Sequence, residues 1–375
     1  MKLAFCLYKY FPHGGMQRAF IRIARICLDA GAEVTAFVIH WQGEVPAGLS
    51  VEKFEATEIF NHTRYERYQN WLGKRLKRQH FDCVVGFNKM PGLDVYYAAD
   101  TCYLEKALTA RSGLYRSTPR FRHFAACERV VFEPAAKTRI LMSSPSQMEI
   151  FRRHYATPLE RFHRLPPGIA RDRMAGEDAP ERRRRGRSSL GVPDDAFLVL
   201  LIGSGFITKG LDRALDAVGA LPKELRNKTH LVAVGTDDSG RFRSHATRLG
   251  IDARFQVLSG RDDIPDLLQA GELLIHPAYF ENTGNVLLEA IVAGLPVLTT
   301  DVCGFAHYVT DAGAGCIVTS PYRQMELDQA LVRMLTSPER ERWRKNGITF
   351  GRTADLYSLP QRAAEVILET AGKRT

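Results

Sequence analysis

An α/β protein of two doubly wound domains is what the sequence predicts, and three observations predict it. Apolar runs of strand length alternate with segments of helical periodicity. The alternation stops in a proline-containing, strongly basic stretch and then starts again. Several strand ends run directly into glycine-rich turns.

The first unit opens with "KLAFCLYKY", residues 2–10, which reads as a buried strand. The turn "FPHGG" follows, and then Met16, Ala19, Phe20, Ile23, Ile26, Cys27 and Ala30 recur at helical spacing up to Gly31. "EVTAFVIHW" is the next strand, and "CVVGFNK" and "DVYYAAD" are strand-like runs separated by "MPGL". Residues 164–195, "RLPPGIARDRMAGEDAPERRRRGRSSLGVPDD", read as a linker into the second unit, with Arg182 to Arg185 in solvent. There "FLVLLIGS", "HLVAVGT", "FQVLSG", "LLIHPAY", "PVLTT" and "GCIVT" are strands. "KGLDRALDAVGAL", "DIPDLLQAG" and "NVLLEAIVAG" are helices, and the chain beyond Met325 is mostly helical.

Composition narrows the function. Hydrophobic residues make up 45% and charged residues 25%, an ordinary globular balance. Cys6, Cys27, Cys83, Cys102, Cys127, Cys303 and Cys316 include no C-x-x-C pair, which argues for free thiols in a reducing compartment and against structural zinc. The start shows no signal segment, and no apolar run is long enough to span a membrane. The net charge of +10 favours anionic partners.

Doubly wound sheets bind ligands beyond the carboxyl ends of their strands, and two such domains suggest a cleft between them. "GSGFITKG" lacks the Gly-Lys-Ser/Thr end of a Walker loop, and Thr208 breaks the G-x-G-x-x-G fingerprint. "ENTGN" offers other chemistry. Thr283 is expected to cap the helix, and Gly284 to let the backbone approach a ligand. The N–H groups of Gly284, Asn285 and Val286 then suit a diphosphate, and Lys209 adds a full charge. Glu289, one turn past Asn285, sits in an apolar run where a carboxylate needs a partner. The two hydroxyls of a ribose are such a partner, and Glu281, before the helix, is placed to meet a sugar.

Glu281 and Glu289 together resemble the E-x7-E element of the retaining glycosyltransferases of family 4, whose fold is GT-B. Gly14, Gly15, Lys209 before Gly210, and "AGLPVLTT" match as well. "FCLYKYFPHGGMQR", "GFNKMPGLDVYYAADTCYLEK", "LPPGI", "HPAY" and "CGFAHY" resemble the lipopolysaccharide core glucosyltransferase I group over nearly the whole chain. The resemblance implies transfer of glucose from UDP-glucose to an inner-core heptose, without a metal or other cofactor. It implies an acceptor-side domain at 1–168, a nucleotide-sugar domain at 169–355, and a C-terminal helix, 356–375, packing back on the first.

The same resemblance assigns roles. Glu281 contacts the donor sugar, and Glu289 the ribose. Gly14 and Gly15 approach the β-phosphate, and Lys209 binds phosphate. Asp100 lines the reacting centre, and the loop at Gly260 and Arg261 holds the base. Where many relatives carry an Arg this chain has Ser204 and Gly205, so neutralisation rests on Lys209 and helix N-termini. His13, His276 and His307 are read as structural. Arg18 belongs to the acceptor side. Arg116, Arg120 and Arg122, in a stretch with Leu114, Tyr115 and Phe121 and no acid, suggest a patch for anionic lipid. The protein is then expected to be cytoplasmic and peripheral to the inner membrane, with a UDP-sugar and a lipid-anchored lipopolysaccharide core as partners and no nucleic acid. UDP-N-acetylgalactosamine or UDP-galactose remains an alternative donor. A nucleotide-sugar epimerase or dehydrogenase lacks its fingerprint, and a polyanion-binding protein leaves the glycine-rich loops unexplained.

Overall fold

A computed structural model describes residues 1–12 and 14–373; the reading of His13 lies outside them. The chain forms two compact units, Met1–Gly168 with Ser358–Thr375, and Ile169–Tyr357.

The first unit holds seven parallel strands: β1 (Lys2–Cys6), β2 (Glu33–Val38), β3 (Leu49–Lys53), β4 (Cys83–Gly86), β5 (Val95–Tyr97), β6 (Arg139–Met142) and β7 (Phe162–Arg164). Their order is β3-β2-β1-β4-β5-β6-β7, so the winding reverses between β1 and β4. Strand alternation sends Leu3 and Phe5 into one apolar layer and Ala4 and Cys6 into the other. The run 2–10 is shorter as a strand than its apolar pattern suggests. Lys9–Tyr10 leaves the main sheet and pairs with His40–Trp41, stacking Tyr10 on Trp41 at 4.0 Å.

The last helix, Leu359–Gly372, belongs to this first unit. Its Leu359, Ala363, Ala364, Ile367 and Ala371 form one face at helical spacing. That face shares an apolar layer with Phe20, Ile23, Ala24 and Cys27 of the helix Gly15–Asp29.

The second unit holds β8 (Phe197–Ile202), β9 (Thr229–Val234), β10 (Phe255–Leu258), β11 (Leu273–His276), β12 (Val297–Thr300) and β13 (Gly315–Val318). The order is β10-β9-β8-β11-β12-β13, all parallel, with the reversal between β8 and β11. Leu198 and Leu200 fill one face of β8, and Val199 and Leu201 the other.

Two sequence expectations need correction. The second unit ends at Tyr357 rather than 355. The basic stretch is not a linker: Ala179–Leu190 is a helix within the second unit, packed on the helix Ile264–Ala270. Gly186 makes that approach possible, since a Cβ there would stand 2.6 Å from the Asp266 carbonyl oxygen. Arg184 is exposed, as expected, while its neighbours are paired. Arg185 reaches Asp266 at 2.8 Å, and buried Arg187 holds Glu272 at 3.1 Å and the Ala196 carbonyl at 2.7 Å. Asp178 and Glu181 pair with Arg182 and Arg185 one turn away, but Asp266 and Glu272 lie some eighty residues along the chain, beyond a local reading.

Candidate functional site

In the second unit the two strands at the winding reversal, β8 and β11, each end in a loop that carries candidate residues. Beyond β8, Gly203–Gly205 turn into the short helix Phe206–Lys209, and the helix Leu211–Gly219 follows. Beyond β11, Pro277–Gly284 lead into the helix Asn285–Val292.

The two loops are fastened backbone to backbone. The Tyr279 N–H donates to the Thr208 carbonyl at 2.8 Å. Gly210, with φ of +76°, lies so close that a Cβ would come within 2.1 Å of the Pro277 carbonyl oxygen. Arg213 donates to the carbonyls of Pro277 and Ala278 at 3.2 and 3.1 Å. Its guanidinium lies between the rings of Tyr279 and Tyr322, at 3.5 and 3.6 Å. Thr299 and Thr300 of β12 hold the carbonyls of His276 and Ala278 from beneath, each at 3.0 Å.

This frame brings Lys209 and Glu281 together. The Lys209 ammonium donates to the Glu281 carboxylate, and both side chains are largely buried, 20% and 13% exposed. Burial pushes the Lys209 amine below its ordinary range. His276, fully buried, contacts the same carboxylate through Nε2 at 3.3 Å. Burial, with the Lys209 charge nearby, lowers its pKa to about 3, so the ring is neutral. A neutral ring facing a carboxylate through Nε2 carries its proton there, which leaves Nδ1 buried without a partner. His276 is therefore part of the site and not only core.

The cap differs from expectation. Gly284, with φ of +82°, is the N-cap, and no side chain caps the helix. The Thr283 carbonyl instead accepts from the Phe305 N–H at 2.8 Å. Gly suits the position because its left-handed backbone strains any residue with a Cβ. The Leu287 N–H returns to the Gly284 carbonyl at 2.9 Å, and the N–H groups of Asn285 and Val286 before it carry the positive end of the helix. Glu289 lies one turn inside, 5% exposed. A protein partner that the sequence reading missed is Arg173: its Nε stands 3.7 Å from the carboxylate, and the side chain is itself buried. Ser204 is exposed and bonded to Thr236 at 3.0 Å, and the Gly205 N–H donates to Asp237. Arg261 is engaged by Asp263 at 2.7 Å, which raises its pKa. Among the described residues, no group of three or more His, Cys, Asp or Glu side chains could hold a metal ion.

In the first unit Gly14 is the N-cap of the helix Gly15–Asp29, and the Gln17 side chain folds over it. Gly15 has open space where a Cβ would stand. Arg18 is half-buried in the first turn. Asp100 is exposed, three residues beyond β5. The loop after it is held by a buried pair that sequence reasoning did not single out. Lys89 binds Glu128 at 2.5 Å and donates to the Thr101 carbonyl, and Glu128 accepts from the N–H groups of Tyr103 and Leu104 at 2.7 and 2.9 Å. Arg116, Arg120 and Arg122 are exposed, and His307 lies at the surface on the Gly304 carbonyl.

Residues 182–350 match the family model "Glycosyl transferases group 1". The chain is 45% identical over 368 residues, 98% of each chain, to the lipopolysaccharide glucosyltransferase WaaG of Escherichia coli (strain K12). It is 30% identical, over 59% of its length, to the alpha-D-kanosaminyltransferase of Streptomyces kanamyceticus, and the match spans 56% of that protein. The crystal structure of WaaG superposes with a TM-score of 0.95, at 45% identity, covering 97% of this chain and 99% of that one. The structure of Anabaena HepE in complex with UDP-glucose superposes at 0.76 with 18% identity, covering 98% and 100%, a likeness of fold alone. The chain belongs to the group 1 glycosyltransferases and has their GT-B fold.

Proposed function

We propose that this protein is a retaining glycosyltransferase that moves glucose from UDP-glucose to a heptose of the lipopolysaccharide inner core. The observation that carries the reading is the pairing of Lys209 with Glu281 at adjacent strand ends, beside a helix N-terminus with the buried Glu289 one turn inside. The likeness to WaaG over the whole chain supports the acceptor class.

In this reading the bond from the sugar's anomeric carbon to the β-phosphate oxygen breaks while an acceptor hydroxyl attacks from the same face. The acceptor proton passes to the departing phosphate. Charge grows on that phosphate, and Lys209 with the first-turn N–H groups of Asn285 and Val286 stabilises it as preorganised donors. Glu281, positioned by Lys209 and His276, accepts from the sugar hydroxyls. Glu289, positioned by Arg173, accepts from the ribose. Gly14 and Gly15 admit the β-phosphate, Asp100 serves the reacting centre, and Arg261 and Ser204 border the nucleotide. No metal takes part. The exposed Arg116, Arg120 and Arg122 bind anionic lipid at the membrane surface where the acceptor is anchored; no described helix is long and apolar enough to cross a membrane.

The test is transfer to a heptosylated inner-core acceptor over a panel of UDP-sugars. UDP-glucose is expected to give the highest kcat/KM. A preference for UDP-galactose or UDP-N-acetylgalactosamine would overturn the assignment of the donor. UDP release without glycosylated acceptor would overturn the assignment of the acceptor.

A further inference from the structure

Among the described residues outside the arginine-rich segment, the two most exposed large apolar side chains are Ile59, 87% exposed, and Phe60, 67%. They immediately precede the helix Asn61–Arg78, with Phe60 as its N-cap residue. Nothing in the sequence reading singled them out, because the helix they precede is polar. Their place in the fold gives them a context.

The helix Asn61–Arg78 packs on the helix Pro119–Phe132. Tyr65 meets the edge of Phe124 at 6.0 Å between ring centroids, and one turn later Gln69 donates to Cys127 Sγ at 3.3 Å. Residue numbers rise together along the contact, so the helices run side by side in the same direction. His123 faces His62 and Glu66, in keeping with that register. The two helix starts therefore share one end of the unit. Ile59 and Phe60 mark that end on one helix. Arg120 and Arg122 mark it on the other, preceded by the turn Gly113–Ser117 with Arg116 and with Leu114, 84% exposed. Of the nearby acids, Glu58 is taken by Arg67, while Glu66 on the following turn and Asp100, near Tyr65, are exposed. Beneath this end, Tyr103 packs on Phe121 and Phe124, and Tyr65 stacks on Tyr8 at 3.9 Å, a rigid aromatic base.

We propose that Ile59 and Phe60 are a hydrophobic insertion element that enters the acyl boundary of an anionic bilayer while Arg116, Arg120 and Arg122 hold its headgroups. Arginines alone give attraction that salt screens. Apolar side chains at the same end add a contribution that salt does not remove, and the combination is what a reversible interfacial contact needs. The inference rests on the membrane reading above and extends it to a second element of the chain.

Vesicles of phosphatidylglycerol with phosphatidylethanolamine, and vesicles of phosphatidylcholine, test it with the full-length protein. The parent is expected to sediment with the anionic vesicles. Ile59→Ser with Phe60→Ser is expected to weaken that partitioning about tenfold or more, the loss falling equally at low and high salt. Arg116, Arg120 and Arg122 changed together to Gln remove mainly the salt-dependent part. A Phe60→Trp variant gives a direct reading, since brominated phosphatidylglycerol should quench its added emission and leave the parent's nearly unchanged. If the double Ser variant binds within twofold of the parent and the added indole emission of the Phe60→Trp variant is not quenched, the insertion element is refuted while the arginine patch stands. If the parent itself fails to bind anionic vesicles, the membrane reading falls and the insertion with it.

Discussion

Gly210→Ala isolates what holds Lys209 and Glu281 in register. Gly210 has φ of +76°, so an added Cβ brings left-handed strain of about 1–2 kcal/mol. It also brings a contact that backbone alone must relieve. The new carbon would stand 2.1 Å from the Pro277 carbonyl oxygen, whereas real Cβ contacts essentially never fall under 3.0 Å. The loop Pro277–Glu281 and the Lys209 helix must then part by about 1 Å, and a displacement of that size near reacting groups can cost on the order of 100-fold in rate. Gly250→Ala is the control. It lies in the same unit with φ of +68° and open space around the added carbon, so it carries the strain without the clash. Urea unfolding and steady-state transfer from UDP-glucose measure the two effects. Gly250→Ala is expected to lose about 1–2 kcal/mol of stability and keep its kcat. Gly210→Ala is expected to lose more stability and on the order of 100-fold in kcat. If Gly210→Ala turns over within threefold of Gly250→Ala, the backbone contact does not set the register and the reasoning fails.

Three further outcomes follow from the same geometry. Arg173→Met takes an ion-pair partner from the buried Glu289 carboxylate and should cost about 3 kcal/mol in urea unfolding; adding Glu289→Gln should recover most of that loss, and simple additivity would contradict the pairing. His276 is held neutral with a pKa of about 3, against about 6.5 unfolded, so the unfolded chain binds the extra proton between those values. Stability is then lost as pH falls below about 6.5, by about 1.4 kcal/mol per unit from this group, and His276→Gln should make the slope shallower by that amount. Transfer should survive EDTA, and strict dependence on added magnesium would overturn the metal-free mechanism.

The sequence made the two sheets visible because parallel strands buried on both faces read as continuous apolar runs between helical periods. Glu289 stood out for an equally local reason, since a charge inside an apolar run is conspicuous, and Glu281 through its spacing from it and the Gly-rich turn between. What it hid depends on distance along the chain. Arg173 precedes Glu289 by more than a hundred residues, and nothing in "RDR" distinguishes a buried guanidinium from a solvated one. Arg213 looks like an ordinary polar position on an amphipathic helix until Tyr279 and Tyr322 close on it. Arg183 and Arg185 looked solvated because two of their carboxylates, Glu272 and Asp266, lie far along the chain. Thr283 was the better cap by residue preference, but the chain enters the helix through a left-handed turn that only Gly284 adopts without strain.

The most direct test of the account is the anomeric configuration of the product. Proton NMR of the heptosylated acceptor after incubation with UDP-glucose should show a new α-anomeric signal with the parent protein and none with Glu281→Ala, while both proteins remain folded. A β-anomeric product, or an α-linked product formed equally well by Glu281→Ala, would contradict retaining transfer at the Lys209–Glu281 site.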